Sequence, residues 1–222
     1  GKTKDTWGNN HGTVVGATYK DYKSRECVFG GCYDFNGSAN IDFGDILQIG
    51  LNSWTYSLWF KGNSFAGTYL LTKTDNGATP FRMALGFNSD SKIYFVFRDE
   101  TNKHYGLEDE YVANFNPDSN WHNINITIDR NSNLLCYLDG IRIGKRDIQN
   151  ISNQNFLLNR SFRIGSYTDT SNMPRSFFNG LMDDVRIYNA ALSSAQIKQN
   201  YIAGLNSMLA NGNMSKEEYN ER

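Results

Sequence analysis

The chain has 222 residues, of which 39% are apolar and 14% aromatic, so it is long enough to form one domain that buries about 70% of the surface of its unfolded chain. Its 22 lysines and arginines nearly balance its 23 aspartates and glutamates, which argues against the strong basic field of nucleic-acid-binding proteins. No stretch approaches the roughly 18 consecutive apolar residues that are needed to cross a bilayer. We therefore predict no nucleic-acid partner and no membrane span in this chain.

Three cysteines divide into a close pair and a single residue. Cys27 and Cys32 flank the sequence VFGG and are near enough to pair across a tight turn, whereas Cys136 lies in the apolar run LLCYLDG and is expected to be a buried thiol. A disulfide between the close pair would form in an exported protein, and two free thiols in a reducing cytosol are the alternative. We predict the disulfide and, with it, an extracellular or cell-surface location.

Short segments of alternating apolar and polar residues follow one another along the chain. They are TYSLWFK, RMALGF, KIYFVFR, NINITID, LLCYLDG and FRIGS, and they are separated by Asn, Asp, Gly and Ser residues. A period of two is typical of strands. RMALGF and KIYFVFR are joined by NSDS, and NINITID and LLCYLDG by RNSN, which predicts two antiparallel hairpins. The sequence therefore predicts an all-β fold, an antiparallel two-sheet jelly-roll sandwich.

The pattern changes near residue 192, where a helical period replaces the alternation. Ile197, Tyr201 and Leu205 fall on one face of a helix. Capping boxes begin at Ser193, with Gln three residues later, and at Ser215, with Glu three residues later. The sequence therefore predicts a short helical tail after the strands.

Seven segments occur in a recognisable order. They are WGNNHGTVVGA, GCYDFNGSANIDFGD, WTYSLWFKG, NWHNINITID, LLCYLDGIRIG, FRIGSYTD and FFNGLMDDVRIYNAALSSAQIKQNY. In this order and spacing they resemble the laminin G-like domains of the concanavalin A-like lectin and glucanase class. The resemblance covers roughly residues 5 to 203. It implies a single jelly-roll domain, for which we set the limits 1–192, followed by the helical tail at 193–222.

The resemblance also implies a calcium site, since in many laminin G-like domains the first and last strands are neighbours and an oxygen-lined site joins them. The opening segment DTWGNNHG offers Asp5, Asn9 and Asn10, and Asp183 or Asp184 would complete the ligand set. Family members commonly open with Asp-x-Ser-Gly-Asn-Gly-Asn, and this chain has tryptophan in the serine position. The alternative is that these residues only bond to backbone amides, as Asp and Asn often do in loops.

The same architecture carries glucanases, whose signature resembles Glu-x-Asp-x-Glu on one strand, so that alternate carboxylates share a face. No such run occurs here: Glu108 and Glu110 would share a face, but no third acid follows at Val112. The sequence also lacks a Gly-x-Ser-x-Gly elbow, and its three histidines are too scattered for a zinc site. We therefore predict that the protein is not an enzyme.

Strand parity indicates a binding face. In each predicted strand one set of alternate residues is apolar and faces a core, which leaves the other set outside. The outer set contains the aromatic, amide and arginine side chains Trp59, Tyr94, Arg98, Asn125 and Tyr137. Aromatic rings pack on the apolar C–H faces of a pyranose, while amides and arginine bind its hydroxyl groups. We interpret these five residues as a carbohydrate-binding platform. The alternative is that the aromatic residues support loops or the C-terminal helix.

Two functions are compatible with these features. The first is an extracellular carbohydrate-binding or adhesion module, whose partner is a glycan or another surface ligand. The second is the structural head domain of a pilin-like surface polymer, in which the jelly roll contacts copies of itself. The segment YIAGLNSMLANGNMSKEEYNER resembles helical tails that follow laminin G-like domains in some bacterial pilin-like surface proteins, which keeps the second function open.

Overall fold

Two seven-stranded sheets pack face to face in the structure, a computed structural model that describes residues 1–74, 82–98, 103–107, 115, 117–148, 151, 156, 160–168 and 173–222. The strands are, in chain order, β1 (Lys2–Thr3), β2 (Gly12–Val15), β3 (Thr18–Lys20), β4 (Cys32–Asn36), β5 (Asn40–Asp42), β6 (Trp54–Lys61), β7 (Tyr69–Thr74), β8 (Arg82–Phe87), β9 (Ile93–Arg98), β10 (His122–Ile128), β11 (Asn133–Leu138), β12 (Ile141–Asp147), β13 (Phe162–Ile164), β14 (Tyr167–Thr168), β15 (Pro174–Arg175) and β16 (Asn179–Tyr188).

The strand order shows how the sandwich is connected. Sheet A has the order β1-β2-β5-β13-β7-β8-β9, sheet B has the order β12-β11-β10-β6-β16-β4-β3, and β14 pairs only with β15. The two predicted hairpins are confirmed, since β8 pairs with β9 and β10 with β11, both antiparallel. The predicted all-β jelly-roll sandwich is therefore confirmed.

The main core lies between the sheets and follows the alternation of the sequence. Tyr56, Leu58 and Phe60 point inward from β6 in sheet B, and Phe95 and Phe97 point inward from β9 in sheet A; all five are fully buried. The ring centroids of Tyr56 and Phe95 are 6.4 Å apart. The two sheets therefore meet through large aromatic side chains, which explains the high aromatic content of the chain.

A second, smaller core lies on the outer face of sheet B, where helix α1 (Ser194–Asn211) packs. Its buried members are Cys27, Val28, Cys32, Trp59, Trp121, Tyr201, Leu205, Met208 and Met214. Gly204 allows the helix to come close, because a Cβ at this position would overlap Cζ2 of Trp59. The tail of the chain thus forms part of the folded domain.

Both predicted capping boxes are confirmed. The side chain of Ser193 accepts a hydrogen bond from the amide of Gln196 at the start of α1, and Ser215 does the same with Glu218 at the start of α2 (Lys216–Glu221). Helix α1 ends at Gly212, whose φ of 75° lies in the left-handed region that favours glycine. No helix among the described residues is long and apolar enough to span a membrane.

The cysteines are arranged as the sequence predicts. Cys27 and Cys32 form a disulfide, with Cα atoms 5.4 Å apart, and Cys136 is a free, buried thiol. Hydrogen bonds fix the loop that the disulfide closes: Nε1 of Trp121 donates to the carbonyl of Glu26, just before the loop, at 2.8 Å, and Oγ of Ser207 donates to the carbonyl of Val28 within it. The disulfide loop is therefore part of the contact between sheet B and the C-terminal segment.

Candidate ligand-binding face

The structure separates the five residues of the predicted carbohydrate platform. Trp59, Asn125 and Tyr137 lie on the outer face of sheet B, and their exposed fractions are only 1%, 0% and 4%. Tyr94 and Arg98 lie on β9 of sheet A. The prediction of one platform made of all five is therefore wrong, because its members belong to the outer faces of two different sheets.

The buried position of the sheet B residues has clear causes. The ring of Tyr201 stacks on that of Trp59, with centroids 5.5 Å apart and planes 16° from parallel. Nδ2 of Asn125 donates to Oδ1 of Asn123 at 2.6 Å, and Nδ2 of Asn123 donates to the carbonyl of Leu58. For Trp59, the alternative reading of the sequence is correct: this aromatic residue supports the C-terminal helix.

Three half-buried tyrosines lie together on the outer face of sheet A. Tyr69 of β7 and Tyr94 of β9 stand on either side of Gly86 in the strand register, and their ring centroids are 6.4 Å apart. Tyr167 of β14 stacks on Tyr69, with centroids 5.1 Å apart and 29° between the planes. The position between Tyr69 and Tyr94 has to be a glycine, since a Cβ at Gly86 would overlap the carbonyl oxygen of Thr68. We call Tyr69, Tyr94 and Tyr167 the tyrosine face.

A polar row crosses sheet A next to the tyrosine face. Thr13, Asp42, Arg163 and Thr72 are successive partners in the registers of β2, β5, β13 and β7. Nε and Nη2 of Arg163 both lie 2.9 Å from Oδ2 of Asp42, and Nη1 donates to Oγ1 of Thr168. Because all three guanidinium nitrogens are engaged, Arg163 is held in one orientation beside Tyr167.

The tyrosine face and the polar row together offer aromatic surface next to fixed hydrogen-bonding groups. This combination can pack on the C–H faces of a sugar ring and bind its hydroxyl groups. Of the sequence-predicted residues, Tyr94 belongs to it, and Arg98 lies on the same strand. The sequence pattern does not identify Tyr69 and Tyr167 as outward-facing residues. A register shift after Tyr69 breaks the alternation, and the left-handed Gly165 interrupts the strand before Tyr167.

The predicted calcium ligands at the start of the chain close their own loop. Asp5 accepts hydrogen bonds from the backbone amides of Trp7, Gly8 and Asn10 and from Nδ2 of Asn10, at distances between 2.9 and 3.3 Å. These bonds, the one from Trp7 foremost, lower the pKa of Asp5. The carbonyl of Asn9 accepts from the amide of His11. Asp5 therefore bonds to backbone amides of its own loop, which is the predicted alternative to calcium binding.

The adjacent aspartates Asp183 and Asp184 have hydrogen-bond partners outside the opening loop. Oδ2 of Asp183 accepts from the amide of Phe29 and Oδ1 from the amide of Asp184, both at 2.7 Å, while Oδ1 of Asp184 lies 2.6 Å from Nε of Arg186. The predicted site that joins these aspartates to the opening segment DTWGNNHG is therefore wrong in its partner. Asp183 instead fastens β16 to the disulfide loop, because the backbone amide of Phe29 in that loop donates to it.

The predicted set Asp5, Asn9, Asn10, Asp183 and Asp184 does not fit calcium, which needs six to eight oxygens around one ion. Asp5 follows an edge strand of sheet A, whereas β16 lies inside sheet B. Within the described part of the chain, no three His, Cys, Asp or Glu side chains come together as a metal-binding group. These contacts do not test whether the protein binds a structural calcium ion.

A charged cluster that the sequence did not predict lies at one end of β10. Nδ1 of His122 is 2.7 Å from Oδ2 of Asp139, and Nε2 is 2.8 Å from Oδ1 of Asp118. Because a carboxylate only accepts hydrogen bonds, both contacts are satisfied together when both ring nitrogens carry protons, so this arrangement favours the imidazolium form of His122. Burial would lower the pKa of His122, but Asp139 and Asp118 outweigh it and raise the pKa. The cluster lines an open cleft of about 420 Å³ together with Tyr201 and Arg222.

Glu108 and Glu110, the two acids considered for hydrolysis, lie outside the described residues.

Comparison with known families adds to this picture. The sequence model of a laminin G family, described as the concanavalin A-like lectin/glucanases superfamily, matches residues 35–198, which is more than half of the chain. The chain belongs to this superfamily. No curated protein sequence matches it.

Solved structures with the same fold include several binding domains. The binding domain of paraclostridial mosquitocidal protein 1 superposes with a TM-score of 0.68 at 15% identity, over 91% of this laminin G-like chain and 50% of that domain. Domain 4 of AbnA, an extracellular arabinanase from Geobacillus stearothermophilus in complex with arabinotriose, gives 0.59 at 21% identity, over 86% and 82%. The CBM40 of the Ruminococcus gnavus IT-sialidase, bound to α2,3-sialyllactose, gives 0.62 at 14% identity, over 83% and 98%. The chain thus spans about half of the mosquitocidal binding domain and most of the two smaller modules.

Proposed function

We propose that this laminin G-like domain is a non-catalytic, extracellular carbohydrate-binding module that holds its ligand on the tyrosine face of sheet A. The observation that carries the proposal is the contact of Tyr69 with both Tyr94 and Tyr167 on the outer face of the sheet. Three adjoining rings offer more than one place for a sugar to pack, which suits an oligosaccharide better than a single ring.

The polar row supplies the groups that would fix the orientation of the sugar. Arg163 and Asp42 have side-chain exposures of 11% and 28%, so they are held in place yet reachable from the solvent. Preformed polar groups of this kind contribute to selectivity because little side-chain freedom is lost on binding. The arabinanase domain and the CBM40 are similar folds in which a saccharide is bound, and they support this class of ligand.

The chemistry near the tyrosine face favours binding over hydrolysis. Glycoside hydrolysis requires two carboxyl groups on either side of the scissile bond. Among the described residues of the polar row, Asp42 is the one carboxylate, and its Oδ2 is occupied by Arg163. An extracellular location is supported by the disulfide between Cys27 and Cys32.

The proposal can be tested on an array of oligosaccharides. The wild-type domain should bind a defined group of glycans, and Tyr69→Ala should lose them, because Tyr69 contacts both other rings. Tyr22→Ala is the matched control, since Tyr22 is 70% exposed and lies apart from sheet A, just after β3 of sheet B. Absence of any glycan signal from the folded wild-type domain would refute the proposed function.

A further inference from the structure

Lys73 is a buried cation in the core of the domain. In the register of β7 and β8 it lies opposite Met83, an inward-facing core residue, and its side chain is 0% exposed. Its Nζ donates to Oδ1 of Asp45 at 2.9 Å, to the carbonyl of Arg160 at 2.9 Å and to the carbonyl of Ile46. An ammonium group has three N–H donors, and all three are used here.

The oxygens around Lys73 come from separate parts of the chain. Asp45 and Ile46 follow β5, whereas Arg160 precedes β13. One carboxylate and two backbone carbonyls are the kinds of ligand that proteins use to bind a hard metal cation. Burial lowers the pKa of Lys73, and the hydrogen bond and negative charge of Asp45 oppose this. The charge of the ammonium is thus matched by the carboxylate that it contacts.

The Lys73 cluster also holds together the strands that carry the tyrosine face and the polar row. Lys73 is adjacent to Thr72, which belongs to the polar row and donates to the carbonyl of Ser166 at 2.8 Å. Strand β7 also carries Tyr69, and β13 carries Arg163. By joining β7 to the segments before β13 and after β5, the ammonium fixes the spacing of the strands on which the face is built.

We propose that Lys73 serves as an internal cation for sheet A, in place of a bound metal ion. The strands behind the tyrosine face are then held together without calcium. The described strands behind the tyrosine face then need no calcium for their stability, and ligand binding on that face needs none either. The statement about ligand binding rests on the proposed function, whereas the statement about stability does not.

The first test is thermal unfolding of Lys73 variants. Lys73→Met keeps most of the side-chain volume but removes the charge, so the carbonyls of Ile46 and Arg160 lose this donor and Oδ1 of Asp45 keeps its bond from Nε2 of Gln48. Its Tm should fall by about 5 °C or more. Lys145→Ala is the control, because Lys145 is an exposed lysine on a strand, and its Tm should stay near that of the wild type. A Lys73→Met variant as stable as the wild type would overturn the proposal.

The second test is chemical rescue. Lys73→Ala leaves a space that matches propylammonium, which carries the missing methylene groups and the missing charge. Propylammonium should raise the Tm of Lys73→Ala, while propan-1-ol of nearly the same shape should raise it less and neither should raise the Tm of the wild type. Equal effects of the amine and the alcohol on the variant would show that the charge is not needed. If Lys73→Ala does not fold, the Lys73→Met comparison decides the matter.

The third test uses the wild-type domain alone. Its Tm should be the same in calcium and in a calcium chelator, and so should its affinity for any glycan found on the array. A Tm that rises in calcium would contradict the proposal. If no glycan binds in either condition, the proposed function fails, while the unfolding tests of Lys73 still stand or fall on their own results.

Discussion

Tyr201 of helix α1 lies flat on Trp59 of strand β6, with ring centroids 5.5 Å apart and 16° between the ring planes. This contact covers the ring of Trp59 on the outer face of sheet B, which leaves it 1% exposed and closed to a sugar. It also explains how the C-terminal segment is held, since stacked aromatic rings contribute beyond the area that they bury. The proposed ligand-binding face therefore lies on sheet A, where the outer tyrosines are only half-buried.

Because α1 lies close to Trp59, we expect a glycine-to-alanine substitution in this helix to destabilise the domain, whereas it normally stabilises a helix. Replacing a glycine in the interior of a helix by alanine normally increases stability by up to about 1 kcal/mol. Gly204→Ala should instead lower the free energy of unfolding by roughly 1–3 kcal/mol, because the added Cβ overlaps the indole of Trp59. Chemical denaturation of wild type and variant measures the difference.

The control for Gly204 is an exposed position of the same helix. Gln199 is exposed, and Gln199→Ala should change the free energy of unfolding by no more than about 0.5 kcal/mol. If Gly204→Ala is more stable than the wild type, α1 does not pack on Trp59 as described.

The cluster around His122 predicts a loss of stability on the alkaline side. Asp139 and Asp118 raise the pKa of His122 in the folded state above its usual value of 6.5, despite burial. Its contribution is therefore fully present below about pH 6.5 and is lost as the pH rises through the folded pKa. The other charged groups near the cleft are Glu218, Glu221 and Arg222. The Tm of His122→Gln should vary less with pH above 6.5 than that of the wild type.

The same cluster makes an acid-side prediction through Asp118. Burial would raise the pKa of Asp118, but the bonds from His122 and Asn120 lower it to about 2. The contribution of Asp118 is thus present above its unfolded value of 3.8 and is lost as the pH falls towards 2. NMR titration of the His122 ring in wild type and in Asp118→Asn checks the coupling, and an unchanged His122 pKa in the variant would contradict it.

Asp183 predicts the opposite kind of pH dependence. Burial raises its pKa to about 7, although the amide of Phe29 donates to it and favours the charged form. The unfolded chain releases this proton near 3.8, so the folded state loses stability from this group as the pH rises from about 4 to 7. Asp183→Asn should remove that loss. Tm profiles between pH 4 and 8 measure it. The control is Asp34→Asn on neighbouring β4, because Asp34 is partly exposed and pairs with Lys20; profiles of wild type and Asp183→Asn that remain parallel would refute the assignment.

Features that depend on neighbouring residues were predictable from the sequence. The alternation in RMALGF and KIYFVFR fixes two strands, and a short polar link fixes their pairing. The capping boxes at Ser193 and Ser215 are likewise local, since each side chain bonds to an amide three residues away. Cys27 and Cys32 are only five positions apart. In each case the interacting groups lie within one turn or one hairpin, so the sequence pattern contains the whole interaction.

Features that depend on distant pairing were not predictable. Alternation shows that Trp59 and Tyr94 face away from the core, but it cannot show that they lie on different sheets, or that a helix covers only one of them. Asp183 bonds to Phe29, which is 154 residues away in sequence. Lys73 lies in a strand of mixed character, and its three oxygen partners belong to segments on both sides of it in the chain. Only the assembled sheets bring these groups together.

The most direct test of the tyrosine face is the affinity of Tyr94→Ala for the glycan that binds best on the array. Isothermal titration should show at least about a tenfold loss relative to the wild type, the size expected when one ring contact worth about 1.4 kcal/mol is removed. Tyr22→Ala should bind as the wild type does. An unchanged affinity of Tyr94→Ala, with the variant still folded, would contradict a ligand site on the outer face of sheet A.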